Sequence, residues 1–187
     1  TIHRVYALKI LGELLNRPDL VSEAEEIYSH IIPNYWDGDK GVFYDMYNDA
    51  ETPKFHLHPG AYGTYRGSET ISPARAVGWT CSFLLELYRA KGVKSALNYA
   101  TKILDKALEL QDESGGFWHV YNRDFMRSMK CPEPDGPDNP VNICNVGTAA
   151  VAYAWLKAYE ITGREDYKDA ALKAVEYLIS DGLTPHT

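Results

Sequence analysis

The chain has 187 residues, 45% of them hydrophobic and 24% charged, enough for one domain with a substantial core and unlike the make-up of a disordered segment. Its formal charge of −7 is spread along the sequence without a basic block, which argues against a nucleic-acid partner, because phosphate affinity rests on clustered Lys and Arg. No apolar run approaches a membrane span, so no membrane partner is expected either.

Read in chain order, a first helix is predicted from about Ile2 to Leu15 and is broken by Asn16-Arg17-Pro18-Asp19, where the proline can begin a new helix. Its partner runs to about Ile32, carries Ala24, Ile27 and Ile31 on one face, and is expected to stop at Pro33. A glycine-aromatic turn follows, Asp39-Lys40-Gly41-Val42-Phe43-Tyr44, inside a long link over 33–72. The second pair opens on Ser72-Pro73, an N-cap followed by a proline at the first helical position, breaks briefly at Gly92 and reaches about Leu110. A second glycine-aromatic turn, Ser114-Gly115-Gly116-Phe117-Trp118-His119, begins the long link over 112–144. The third pair opens near Asn145, breaks at Thr162-Gly163-Arg164-Glu165-Asp166 and resumes from about Tyr167 to Ile179. Ser180-Asp181-Gly182-Leu183 then stands where the other units place their turn.

The units align. Leu85-x-x-Tyr88 before Lys91-Gly92 matches Leu156-x-x-Tyr159 before Thr162-Gly163, and Ala100, Leu104 and Leu108 fall against Ala171, Val175 and Ile179. The i, i+4, i+8 spacing puts each trio on one helical face. The chain thus reads as a single all-α domain of three tandem helical hairpins, about 2–32, 73–111 and 145–180, with no sheet beyond short ribbons at the turns. Small residues open the first helix of the second and third pairs (Ala74-Arg75-Ala76-Val77-Gly78 and Val146-Gly147-Thr148-Ala149-Ala150), and those helices are apolar most of the way round. The second helices, with Lys102, Asp105, Lys106 and Glu109 on one side, read as half exposed, so an inner layer sits inside an outer one. Both long links exceed ordinary loop lengths, are rich in aromatic and charged residues, and leave from the same end of the array, which should carry the working surface.

This pattern resembles the (α/α) toroid superfamily, the six-hairpin glycosidase-like folds and their terpene-cyclase relatives. Gln111-x-x-x-Gly115-x-Phe117 is similar to the cyclases' glutamine-tryptophan signature, and Tyr153-Ala154-Trp155-Leu156-Lys157-Ala158-Tyr159-Glu160-Ile161-Thr162-Gly163 resembles a helix common in carbohydrate-active toroids. Ala74-Arg75-Ala76-Val77-Gly78-Trp79 is similar to the Ala-Arg-Gly-Asn-Gly-Trp stretch of unsaturated glucuronyl and rhamnogalacturonyl hydrolases, departing from it at Ala76 and Val77. No Asp-x-Asp-Asp cyclase motif is present, which disfavours terpene chemistry. The resemblance implies part of a toroid and an activity on oligosaccharides, uronic-acid-containing ones among them, as a glycoside hydrolase, lyase or epimerase. A non-catalytic helical-repeat module that binds protein or glycan is the alternative.

Sugar chemistry needs carboxyl groups beside flat rings, the first to move protons and the second to hold sugar faces. Asp45 and Asp124 stand just past the two glycine-aromatic turns, with His119 beside the second, and are the catalytic candidates; an Asp there could equally cap a turn. Tyr44, Tyr62 and Tyr65 could line a pocket, and Arg66 and Arg75 could clasp a uronate through the guanidinium fork or simply pair with Glu69 or a helix end. Trp36, Trp79 and Trp118 could stack on sugars or plug hairpin junctions, while Trp155, inside a helix, reads as core. His56 and His58 alternate as one strand face would need, but no third ligand stands at a metal-binding spacing. Neither a metal nor a cofactor is expected. Cys81, Cys131 and Cys144 lack zinc spacing; Cys131 and Cys144 flank one proline-rich loop and could form a disulfide or remain thiols. The compartment stays open, with the cytoplasm slightly favoured. Since the chain opens in helix-like sequence without Met or signal peptide and shows three hairpins where toroids close with more, the expectation is a homo-oligomer or the missing remainder of a longer chain. Apolar surface is expected around Val77, Phe83, Val151 and Trp155.

Overall fold

A computed structural model describes residues 2–43, 70–118, 121–122, 125 and 143–180. Three antiparallel helix pairs follow one another: α1 (Ile2–Leu14) with α2 (Pro18–Tyr35), α3 (Thr80–Lys91) with α4 (Lys94–Leu110), and α5 (Asn145–Thr162) with α6 (Glu165–Ser180). A π-helical segment, Pro73–Trp79, runs straight into α3. Among the described residues the only ribbons are two-stranded: β1 (Trp36–Asp37) with β2 (Val42–Phe43), and β3 (Thr70–Ile71) with β4 (Tyr121–Asn122).

Local chemistry sets the breaks. Gly92 and Gly163 end α3 and α5 in the left-handed region, at φ 68° and 71°, each N–H returning to a tyrosine carbonyl one turn back, Tyr88 or Tyr159. The first glycine-aromatic turn is tied by Asp37, whose Oδ1 accepts from the N–H groups of Asp39 and Lys40 at 3.1 and 3.0 Å. Pro33 does not stop α2, as its sequence position predicted: the helix runs through it to Tyr35. Only the last turn is affected, and the Trp36 N–H still reaches the Ile32 carbonyl, so the cost of a proline inside a helix is largely avoided.

The first helix of each pair packs on its own partner and on the next first helix, α1 on α3 and α3 on α5, giving the inner layer; α2, α4 and α6 lie outside it. Between the layers, Trp155 of α5 is fully buried against Phe117 with ring centroids 5.6 Å apart, and its indole N–H reaches the Leu104 carbonyl of α4 at 3.3 Å. Cys81 of α3 is likewise buried on the α4 side, its thiol directed at the Ala100 carbonyl, and burial pushes that thiol's pKa well up. The outer helices are tied by polar contacts: Tyr28 with Ser95 between α2 and α4, and Tyr167 with Asp105 between α6 and α4.

Two expectations about burial are corrected. Val77, Val151 and Trp155 are buried and Phe83 is half-buried against Tyr6, because the neighbouring inner helices and α4 already cover them. Among the described residues the exposed large apolar side chains are instead Leu11, Leu14 and Leu15 at the end of α1, Trp79 just before α3, Val146, Tyr153 and Leu156 on α5, and Leu172, Val175 and Ile179 on α6. The aligned trio of the last helix therefore does not share one buried face: Ala171 is buried, whereas Val175 and Ile179 are exposed. α6 also begins two residues before Tyr167, at Glu165, where acidic Glu165 and Asp166 suit the positive end of the helix.

Candidate functional site

The two long links meet at one end of the molecule. Ile71, leading into the second hairpin, pairs with Tyr121 of the other link, and Trp118 forms a bridge with Ile143 just before α5. The heads of the inner helices open at this end. Ser72 caps the π-helical segment, its Oγ accepting from the Arg75 N–H at 3.4 Å. On the other side the Arg75 carbonyl accepts from both the N–H and the Oγ1–H of Thr80, the latter at 2.7 Å. The Arg75 backbone is thus held at both ends, and a π-turn of this kind, uncommon in helices, is frequent at functional sites.

Small residues then bring α5 against this turn. A Cβ placed on Gly78 would lie 2.5 Å from the Ala150 carbonyl carbon, and Gly147 sits against Pro73 and Ala74. The Gly147 N–H is capped by the Cys144 sulfur at 3.2 Å. The small-residue runs at the heads of α3 and α5 therefore serve a close helix crossing.

Helical geometry decides which side chains face the inside of the arc. Two residues along a helix turn it by about 200°, so Trp79 points away from Cys81 and Tyr153 away from Trp155, the two that face the outer layer. Both rings are well exposed, Trp79 at 47% and Tyr153 at 56%, and Arg75, four residues before Trp79, is exposed too. Lower on the same face Lys157 of α5 pairs with Glu86 of α3 and lies 4.8 Å from the Tyr153 ring centroid. Burial pulls the Lys157 pKa down, but hydrogen bonding to Glu86 and Tyr153 outweighs it and the net shift is upward. Glu86 also approaches Arg89 at 3.7 Å, so this carboxylate is engaged by two cations. The face carries the Arg75 guanidinium, two rings and the Glu86–Lys157 ion pair, groups of the kind that bind an anionic sugar.

The other sequence candidates fall in two groups. Trp36 is half-buried against Phe43 and Tyr99, with centroids 5.0 and 4.8 Å apart, the place of a plug between the first ribbon and α4. Trp118 is half-buried with its indole N–H on Asp112, beside an open cleft. Asp45, Asp124 and His119, together with Tyr44, Tyr62, Tyr65 and Arg66, lie outside the described residues, as do His56, His58, Glu69 and Cys131. Among the described residues no three His, Cys, Asp or Glu converge as a metal site requires, and no helix is long and apolar enough to cross a membrane. Tyr153 and the Glu86–Lys157 pair were missed in the sequence, although Val146, Ala149, Tyr153 and Leu156, at i, i+3, i+7 and i+10, mark the exposed stripe of α5.

No protein-family model matches the chain, and no curated protein sequence does. Solved structures do match. A sugar epimerase from a ruminal bacterium is similar with a TM-score of 0.71 at 16% identity, over 96% of this chain and 42% of that one. A possible member of the GH105 family from Salmonella enterica is similar with a TM-score of 0.61 at 24% identity, over 94% and 41%. A glycosyl hydrolase family 88 structure from Bacteroides vulgatus matches at 0.63 and 16% identity, over 94% and 46%. This chain therefore spans less than half the length of those structures, and at these identities the likeness is one of fold. The fold is all-α, tandem helical hairpins forming part of an (α/α) toroid.

Proposed function

We propose that this chain is part of a carbohydrate-active toroid, a glycoside hydrolase, lyase or epimerase, whose inner face binds an oligosaccharide carrying a uronic acid. The observation that carries this reading is the placement of Arg75 and Trp79 on one exposed face, on a backbone fixed by Ser72 and Thr80, beside Tyr153 of the next inner helix. A guanidinium fork matches two carboxylate oxygens, and flat rings at its side hold the apolar faces of sugar units. The toroid fold shared with structures described as a sugar epimerase and glycosyl hydrolases supports the substrate class. Asp45 and Asp124, with His119, remain the proton-transfer candidates of this proposal, since Glu86 is engaged by Lys157 and Arg89.

The test combines binding and turnover on uronate-containing oligosaccharides. Arg75→Ala and Trp79→Ala should each weaken binding at least tenfold, whereas Asp45→Asn and Asp124→Asn should remove turnover and leave binding in place. Full turnover by both Asn variants would dismiss the acids, and unchanged binding by the Arg75 and Trp79 variants would dismiss the face. The second reading, a binding module, draws on the engaged state of Glu86; binding by the unaltered protein without turnover of any such substrate would select it.

A further inference from the structure

We infer a second carbohydrate subsite, for a neutral sugar unit, in the cleft between the C-terminal end of α4 and the glycine-aromatic turn that follows it. The inference rests on the carbohydrate reading above and adds to it a place that the inner face does not include. The cleft holds about 460 Å³ and opens to solvent, within the range of ~300–1,000 Å³ usual for small-molecule sites.

Its walls are built before any ligand arrives. The Trp118 indole N–H donates to Asp112 Oδ2 at 3.1 Å, and the Trp118 backbone N–H donates to the Tyr121 hydroxyl at 3.2 Å. That hydroxyl in turn donates to the Leu110 carbonyl at 3.0 Å, so the ring is fastened to the end of α4. Gln111 is fixed as well, its amide donating to the carbonyls of Gly115 and Ala170, each at 2.9 Å, which locks the turn against α6. Phe125 brings another ring to the cleft, with the ammonium groups of Lys106 and Lys40 at 4.9 and 5.6 Å from its centroid. A side chain held in its bound position loses little entropy when a ligand docks.

The polar groups decide the kind of sugar. Glu109, Asp112 and Glu113 all border the cleft; Lys106 pairs with Glu109, and Asp112 accepts from Trp118 and Ser114. The remaining carboxylate lone pairs can still accept from sugar hydroxyls, and three carboxylates against Lys106 and Lys40 leave the rim net negative toward another carboxylate. A uronate is thus disfavoured here and favoured at Arg75, and a neutral pyranose fits the combination of acceptors with flat rings. The pairing of Tyr121 with Ile71, four residues before Arg75, puts the cleft and the head of the inner helix at the same end of the molecule. A mixed oligosaccharide, neutral at one end and acidic at the other, matches such a pair of subsites.

Calorimetric titration of the whole chain with three neutral hexaoses (xylo-, cello- and manno-), and separately with trigalacturonate, tests this. At least one hexaose should bind. Trp118→Ala should weaken it at least tenfold and Asp112→Asn several-fold, with Leu172→Ala, at an exposed position of α6, within twofold of the unaltered protein. The Asn variant keeps an oxygen for the indole N–H, so it reads the cleft even where the alanine variant fails to fold. Absence of binding by all three hexaoses overturns the inference, as does a hexaose whose binding depends on Trp79 and not on Trp118 or Asp112. Trigalacturonate reports on the other reading alone: loss of its binding in Arg75→Ala and Trp79→Ala, but not in Trp118→Ala or Asp112→Asn, supports the inner face, and its failure to bind at all counts against that face whatever the hexaoses do.

Discussion

The second and third hairpins are built on the same sequence pattern and end with different cores. In α4, Ala100, Ile103, Leu104 and Ala107 are buried, and Leu108 is half-buried. In α6 the buried set is Tyr167, Ala170, Ala171 and Ala174, three of them small, while Val175 and Ile179, which align with Leu104 and Leu108, are 37% and 67% exposed. The difference comes from neighbours. α4 is covered by α3, by α5 and by the first ribbon, whereas among the described elements α6 rests chiefly on α5. It is tied to α4 through a polar clasp, in which Arg164 pairs with Asp105 and Asp166 and the Tyr167 hydroxyl donates to Asp105 Oδ1 at 2.7 Å. A repeat specifies which residues face inward along each helix. What they bury against depends on the elements beside it.

Shortening the two aligned positions should separate the two helices most clearly. Leu104→Ala removes a fully buried side chain beneath Trp155 and should cost about 2–5 kcal/mol, and Val175→Ala should cost about 0.5 kcal/mol or less. Denaturant unfolding of the two variants checks it. Similar losses would mean that the aligned helices are buried alike in solution.

A smaller effect should come from pH. The hydrogen bond from Arg164 holds the Asp166 carboxyl below its usual value of 3.8, against a weaker opposing push from burial. With the folded value depressed, the stabilisation is fully present above the ordinary aspartate range and is lost as pH falls through the folded value. The clasp's contribution to Tm should therefore be constant near neutral pH and fade below about pH 4, so that Arg164→Ala has a lower Tm at about pH 7 and a shallower acid drop. An identical acid profile in the variant would show that the clasp contributes nothing to holding the last hairpin. The Tyr167 hydroxyl, pushed well up by burial and by its bond to Asp105, stays protonated throughout this range.

Much of the helical framework was legible because its punctuation is local. Gly92, Gly163 and the Ser72-Pro73 cap each act through their own backbone, and a short window of sequence contains the whole cause. Pro33 misled because the penalty of a proline depends on how much helix follows it, and here one short turn does. The π-helical segment was hidden for a different reason: it depends on Thr80 returning two bonds to Arg75 and on Gly78 meeting Ala150, a residue far along the chain. The burial of α6 was misjudged on the same ground, since alignment carries a face and not a neighbour. Of the candidate site, Arg75 and Trp79 stand out in the sequence through the resemblance of Ala74–Trp79 to the hydrolase stretch, and they remain proposals. Tyr153 could not be picked out, as its exposed place follows from standing opposite Trp155 across α5 and beside Lys157. Asp112 escaped notice because its contact with Trp118 closes only when the turn folds.

On the proposed reading, the inner face of the arc, at Arg75 and Trp79, receives the acidic sugar. The chain has four tryptophans, and their indole N–H signals in a two-dimensional NMR spectrum report four different surroundings. Titration with trigalacturonate should move the Trp79 signal strongly and leave those of Trp36, packed on Phe43 and Tyr99, and of Trp155, bonded to Leu104, nearly in place. The Trp79 response should vanish in Arg75→Ala. A spectrum in which Trp79 stays fixed while the sugar binds, or in which its shift survives the loss of Arg75, would contradict the claim.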